Sequence, residues 1–181
     1  LTGIPIRNRI LGGTASAARE VFGVFSPRPV LFITGGSQGA LVINQTVIQI
    51  LKELAAGYEL IHQAGEKNVE DVRLETAPII QDGGAPYYHL AGFLSEEQTR
   101  SAFALADLVI SRAGATSIFE IAAAGKPSIL IPLSNAAQDH QKRNAYEYGR
   151  TGAAVIIEED NLTPSVLYHE IERLIADPAR R

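Results

Sequence analysis

Six short apolar runs, most rich in β-branched residues, punctuate the chain: Val30-Leu-Phe-Ile-Thr34, Tyr58-Glu-Leu-Ile-His62, Tyr87-Tyr-His-Leu-Ala91, Leu108-Val-Ile-Ser111, Ser128-Ile-Leu-Ile131 and Ala154-Val-Ile-Ile157. They are nearly continuous in apolar character rather than alternating, the pattern of strands buried on both faces of a parallel sheet. Helical spacing lies between them. Ile43, Val47, Ile50, Leu51 and Leu54 form one stripe, the stretch from Glu96 to Leu105 fills the gap between strands three and four, and Leu167, Ile171, Leu174 and Ile175 form the last. Thr163 is placed to cap that last helix, Pro164 sits in its first turn and Asp177-Pro178 ends it. Strands alternating with helices predict an α/β domain with a doubly wound, Rossmann-like parallel sheet of about six strands. The segment from Pro78 to Pro86, with its Asp82-Gly-Gly turn signal, reads as the least regular.

In such a sheet, ligands bind beyond the carboxyl ends of the strands. The loops to inspect follow Ile33, Ala91, Ile110 and Ile131. After the first strand comes Gly35-Gly-Ser-Gln-Gly39, leading into a helix near Ala40. It lets backbone approach a ligand, and the free amides of a helix start favour an anion. It is neither a G-x-G-x-x-G fingerprint nor a Walker loop. A tight strand-to-helix turn with Ser37 as cap explains it equally well. After the fourth strand comes Ser111-Arg-Ala-Gly-Ala-Thr-Ser-Ile-Phe-Glu120, a second small-residue loop opening a helix. Two such loops on one sheet edge suit a diphosphate held by amides without a metal. Ser117-x-x-Glu120 has the spacing of a capping box, which spacing alone favours, and the other reading is that Glu120 accepts from two vicinal ribose hydroxyls.

After the fifth strand a polar loop, Pro132 to Gln138, runs into a helix that Asp139 is placed to cap, with His140, Gln141 and Asn144 in its first turns. Amide side chains offer both donor and acceptor to sugar hydroxyls. Lys142 and Arg143 read as solvated surface, and His62, His89 and His169 as structural. Phe93, beside Gly92, is either a core plug followed by a Ser95 helix cap or a contact for a nucleobase.

Composition narrows the classes. The chain has 181 residues, 46% apolar and 20% charged, with net charge -4, which fits one folded domain and gives no global attraction to nucleic acid. No Cys is present, which excludes disulfides, thiolate metal sites and thiol nucleophiles. With no 18-residue apolar run and no leader pattern, the chain reads as cytoplasmic. It opens at Leu1 without Met, and its first residues read as a connection, as if the domain were cut from something longer.

Taken together, Gly35-Gly-Ser-Gln-Gly-Ala40, the Ser111 to Glu120 motif with Ala122-Ala-Ala-Gly125-Lys-Pro127, and Asp139-His-Gln-x-x-Asn-Ala145 resemble the bacterial MurG family of peptidoglycan synthesis. Thr2-Gly-Ile-Pro-Ile-Arg7 resembles the family's interdomain segment, and the likeness covers nearly the whole chain. It implies a two-domain GT-B glycosyltransferase, with residues 1–10 a linker remnant and 11–181 the carboxyl-terminal domain that binds UDP-N-acetylglucosamine (UDP-GlcNAc). By resemblance, Gly36, Ser37, Gln38 and Gly39, with Ala115, Thr116 and Ser117, hold the diphosphate, and Arg7 reaches the nucleotide from the linker. Phe93 offers its backbone to uracil, Glu120 holds the ribose, and His140, Gln141 and Asn144 face the sugar. Ile4 and His140 depart from the commoner residues of the family.

The implied reaction is a metal-independent, inverting transfer of N-acetylglucosamine to lipid I, giving lipid II and UDP, with no cofactor. The catalytic base, the acceptor loops and the membrane-facing surface belong to the amino-terminal domain, so this domain alone is expected to bind donor without turning it over. The whole enzyme is expected at the cytoplasmic face of the cell membrane. Two other readings stay open. One is a stand-alone donor-binding subunit of a split GT-B transferase acting on another polyprenyl diphosphate. The other is a nucleotide-binding module or sugar-nucleotide epimerase, whose fold has similar pyrophosphate loops.

Overall fold

The computed structural model describes residues 12–36, 39–134 and 139–177. Helix α1 (Ala15–Phe22) precedes strand β1 (Val30–Thr34), after which strands and helices alternate. The order is α2 (Leu41–Gln49), α3 (Leu51–Gly57), β2 (Glu59–Gln63), α4 (Val69–Gln81), β3 (Tyr88–Ala91), α5 (Glu96–Leu105) and β4 (Leu108–Arg112). Helix α6 (Ala115–Ala124), β5 (Ser128–Ile131), α7 (Asp139–Gly149), β6 (Ala154–Ile156) and α8 (Pro164–Ile175) complete it. All strand pairs are parallel, in the order β3-β2-β1-β4-β5-β6. Strand order therefore reverses between β1 and β4, the place where open α/β sheets leave a crevice at their carboxyl edge.

Alternation along β1 explains the two cores. Leu31 and Ile33 face the side packed by Ile43, Val47, Leu51 and Leu54 of α2 and α3 and by Leu167, Ile171 and Leu174 of α8. Val30 and Phe32 face the other, with Ala18, Ala102, Phe103 and Ile121. Burying each of the larger side chains contributes about 1.5–3 kcal/mol, which is why strands with no polar face belong in the middle layer. Phe32 and Phe103 meet edge to face at 5.2 Å between ring centres.

Three local expectations change. The stripe from Ile43 to Leu54 is buried as expected, but Ile50, at φ -118° and ψ 17°, divides it into two helices. Helix α4 continues through Pro78 to Gln81 instead of ending before it. Pro78 lies in the last turn on the exposed side. Helix α6 is capped by Gly114, which puts Ser117 at its third position and Glu120 in its second turn. The Ser117-x-x-Glu120 capping box therefore does not form, because that motif requires the serine at the cap itself. Ser95 does build a capping box with Gln98, and Thr163 accepts the Val166 N–H.

Candidate functional site

A cleft of about 320 Å³ opens at the carboxyl ends of the central strands, at the reversal between β1 and β4. One wall is apolar, made by Phe32, Leu94, Phe103 and Ile121, with Phe93 at its edge. The other is polar, with Thr34 and Gln63 ending β1 and β2, Ser111 and Arg112 ending β4, and Gly114, Thr116 and Ser117 opening α6. Glu120, 7% exposed, also lines the cleft. A volume of this size suits a small molecule with one apolar and one polar end.

Backbone geometry makes the polar wall. Gly36 has φ +76° and Gly39 φ +72°, conformations that a residue with a side chain rarely adopts. The Gly36 N–H donates to Thr34 Oγ1 at 3.1 Å, and Gly39 N–H returns to the Gly36 carbonyl at 3.1 Å. The turn leaves no room around Gly39, where a Cβ would lie 2.3 Å from the Ala64 carbonyl oxygen. Helices α2 and α6 follow these adjacent strands and start at Ala40 and Gly114 without any side-chain cap. Helices α1, α5 and α8 are capped by a Thr or Ser side chain, whereas α3 and α4, whose starts lie outside the cleft lining, also lack a side-chain cap. In α6 the first internal bond runs from Ile118 N–H to the Gly114 carbonyl, so the helix does not use the Ala115, Thr116 and Ser117 amides itself. Amides and the positive end of the helix dipole then favour an anion in the cleft.

Of the residues singled out in the sequence, Gly36, Phe93, Thr116, Ser117 and Glu120 come together around this cleft. Ala115 is the first residue of α6, and Gly39 closes the β1 turn. Phe93 is 50% exposed while Leu94 is 1% exposed, so the core plug is Leu94 and the aromatic ring stands at the cleft edge. Ser37, Gln38 and Arg7 lie outside the described residues, as does the expected cap by the Asp139 side chain. His140, Gln141 and Asn144 do not line the cleft; they occupy the start of α7, beyond β5. His140 is exposed, and Gln141 Oε1 accepts the Leu133 N–H at 3.2 Å, which leaves the Gln141 amide nitrogen to act as a donor.

Lys142 binds Glu158 at 3.1 Å, so it is not simply solvated. The Glu158 carboxyl is held below its ordinary range by the Tyr146 hydroxyl and by Lys142. Of the histidines set aside as structural, His62 and His89 are tied into the fold. His62 is fully buried, with Nδ1 2.8 Å from the Tyr88 hydroxyl and Nε2 3.0 Å from Asn44 Oδ1. His89 meets the buried Glu59 at 2.6 Å, and His169 is exposed on α8.

Sequence reasoning passed over Thr34, Gln63, Thr99, Ser111 and Arg112 as cleft residues. The available signal was a polar residue ending an apolar strand, as at Thr34, Gln63 and Arg112. Which of those ends meet depends on the sheet order, a non-local property.

Residues 30–181 match the model of the glycosyltransferase family 28 C-terminal domain. The chain is 38% identical over 96% of its length to the UDP-N-acetylglucosamine–N-acetylmuramyl-(pentapeptide) pyrophosphoryl-undecaprenol N-acetylglucosamine transferase of Clostridium kluyveri, and covers 47% of that protein. It is 36% identical over 97% of its length to the transferase of the same name from Acetivibrio thermocellus, again covering 47%. The chain thus spans about half the length of the curated relatives it matches. Among solved structures, MurG of Acinetobacter baumannii superimposes with a TM-score of 0.70 at 29% identity, over 97% of this chain and 48% of the other.

Proposed function

The chain belongs to glycosyltransferase family 28, as its C-terminal domain, and from that membership we propose that it is the donor-binding half of a transferase that moves N-acetylglucosamine from UDP-GlcNAc to lipid I. The observation that carries the reading is the uncapped start of α6 meeting the Gly35-Gly36 end of β1 in one cleft that has an apolar wall at its other end. The diphosphate meets the amides of Ala115, Thr116 and Ser117 and lies against the turn formed by Gly36, Ser37, Gln38 and Gly39. Charge is met by oriented N–H groups, so no metal is required. The uracil lies against the apolar wall beside Phe93 and hydrogen-bonds to backbone there. Glu120 accepts hydrogen bonds from the ribose hydroxyls. His140, Gln141 and Asn144 face the hexose, with Gln141 presenting its amide N–H groups.

In the reaction, the acceptor hydroxyl attacks the anomeric carbon on the face opposite the leaving group. The bond to the β-phosphate oxygen breaks, its electron pair leaves with UDP, and the configuration inverts. A base contributed by an amino-terminal domain takes the acceptor's proton, and the α6 amides stabilise the charge growing on the diphosphate. Residues 1–10, including Arg7, form the connection to that domain and 11–181 the donor domain. The complete enzyme works at the cytoplasmic membrane surface through its other half, in peptidoglycan synthesis. Among the described residues no helix is long and apolar enough to cross a membrane.

Calorimetric titration in EDTA with UDP-GlcNAc, UDP, the N-acetylgalactosamine analogue and ADP tests the reading. Saturable binding selective for uridine, weakened at least tenfold by Glu120→Ala, is expected, since one hydrogen bond to a charged group is worth about 1.5–3 kcal/mol. Equal binding of ADP, or an unaffected Glu120→Ala protein, overturns it.

A further inference from the structure

Arg112 ends β4 in the cleft wall, but its guanidinium is committed to the neighbouring strands. Nη1 donates to the Ile131 carbonyl at 3.3 Å, at the end of β5, and Nη2 donates to Glu159 Oε1 at 2.6 Å. Glu159 opens a 3-10 turn (Glu159–Asn161) just after β6, and its other oxygen, Oε2, accepts the Ser134 N–H at 3.0 Å. The two side chains are 11% and 15% exposed. Burial raises the Glu159 carboxyl, but the Arg112 hydrogen bond, the Ser134 N–H and the Arg112 charge together outweigh it, leaving the group below its ordinary range. One ion pair thereby joins the ends of β4, β5 and β6.

The same pair reaches the connection into α7. Ser134 is held by Glu159, and the preceding amide, Leu133 N–H, is held by Gln141 on α7 itself. Two consecutive backbone donors at the exit of β5 are thus tied, one to the β4–β6 ion pair and one to the helix that carries the sugar-facing residues. Partly buried ion pairs add little stability compared with apolar packing, so geometry is the better reason for this one.

We propose that Arg112 and Glu159 form a positioning pair for the hexose: by holding Ser134 they fix the adjacent Leu133 amide, to which Gln141 is bonded, and so place Gln141 against the sugar of a nucleoside diphosphate sugar. This rests on the donor-binding reading above. Glu159 is suited to the task because both of its oxygens accept from donors. A glutamine of the same shape offers one oxygen and an NH2 group, so it can satisfy Arg112 or Ser134 but not both.

The test compares the affinities of UDP and UDP-GlcNAc, by calorimetry, for the wild-type chain, Glu159→Gln and Glu159→Asp. Glu159→Gln is expected to keep UDP affinity within about twofold and to lower the ratio of UDP-GlcNAc to UDP affinity by about three- to tenfold, the weight of one neutral hydrogen bond. Glu159→Asp, which keeps both acceptors but retracts them by one methylene, is expected to fall between. A ratio unchanged in both variants overturns the proposal, as does an equal loss for both ligands, which marks a merely structural residue. If Glu159→Gln does not fold, the ratio in Glu159→Asp decides: a fall supports the pair and no change overturns it. A wild-type chain that binds no UDP at all refutes the donor-binding reading itself, and the positioning role with it.

Discussion

Acidification should weaken the fold through one histidine. His62 is fully buried on β2, with a hydrogen-bonding partner for each ring nitrogen. Asn44 Nδ2 donates to the Ala64 carbonyl at 3.0 Å, which identifies the Asn44 atom facing the ring as its acceptor oxygen. The ring is therefore neutral, with its proton on Nε2 and Nδ1 accepting from the Tyr88 hydroxyl. Burial lowers its pKa from 6.5 to about 4. Because the folded ring titrates below the unfolded one, the unfolded chain takes up the proton first as pH falls. The contribution is complete above pH 6.5, declines between 6.5 and about 4, and is absent below. At about 1.4 kcal/mol per tenfold change in proton affinity, it amounts to about 3 kcal/mol. That is a large share of the 5–15 kcal/mol typical of a domain. Urea unfolding at intervals between pH 7.5 and 4.5 should show the decline in the wild-type chain and a much shallower one in His62→Gln, which keeps an amide donor and acceptor but does not titrate. Parallel declines in the two proteins, or a ring that titrates near 6.5 by NMR, would refute the reasoning. The same His62–Asn44–Ala64 chain lies beneath the β1 turn, since a Cβ on Gly39 would strike the Ala64 carbonyl.

Gly39→Ala combines that 2.3 Å approach with a positive φ, and is expected to cost about 2–4 kcal/mol in thermal unfolding and to abolish UDP binding by displacing the turn. Ser95→Ala removes half of the α5 capping box and should cost about 1 kcal/mol while leaving nucleotide affinity unchanged, as the cap lies outside the cleft lining. Phe93→Ala should leave the melting temperature nearly unchanged, since the ring is half exposed, yet weaken uridine nucleotides several-fold by calorimetry.

The strands were legible because burial on both faces writes itself as an unbroken apolar run; each was read to within one residue of its observed bounds. Helices with thin apolar stripes were not. Helix α1 buries only Ala18, and α4 buries Val69, Val72 and Thr76 before a proline that reads as a breaker. The Thr14 cap and the left-handed Gly23 that bound α1 were nevertheless present in the sequence. At the cleft, the glycine turn and the α6 start could be read because each is one local motif whose chemistry needs no partner. Arg112 and Gln63 could not, because their place in the cleft wall depends on β4 and β2 flanking β1. Glu120 lines the cleft but is not the partner of a Ser117 capping box, since the helix is capped by Gly114 and not by Ser117.

Amide chemical-shift mapping with UDP in EDTA is the most direct measurement of whether this cleft is a diphosphate site. Saturable shifts concentrated on the N–H groups of Gly36, Gly39, Ala115, Thr116 and Ser117, with ADP producing much smaller ones, are expected. Shifts that cluster away from the β1 and β4 ends, or that ADP reproduces in full, would contradict it.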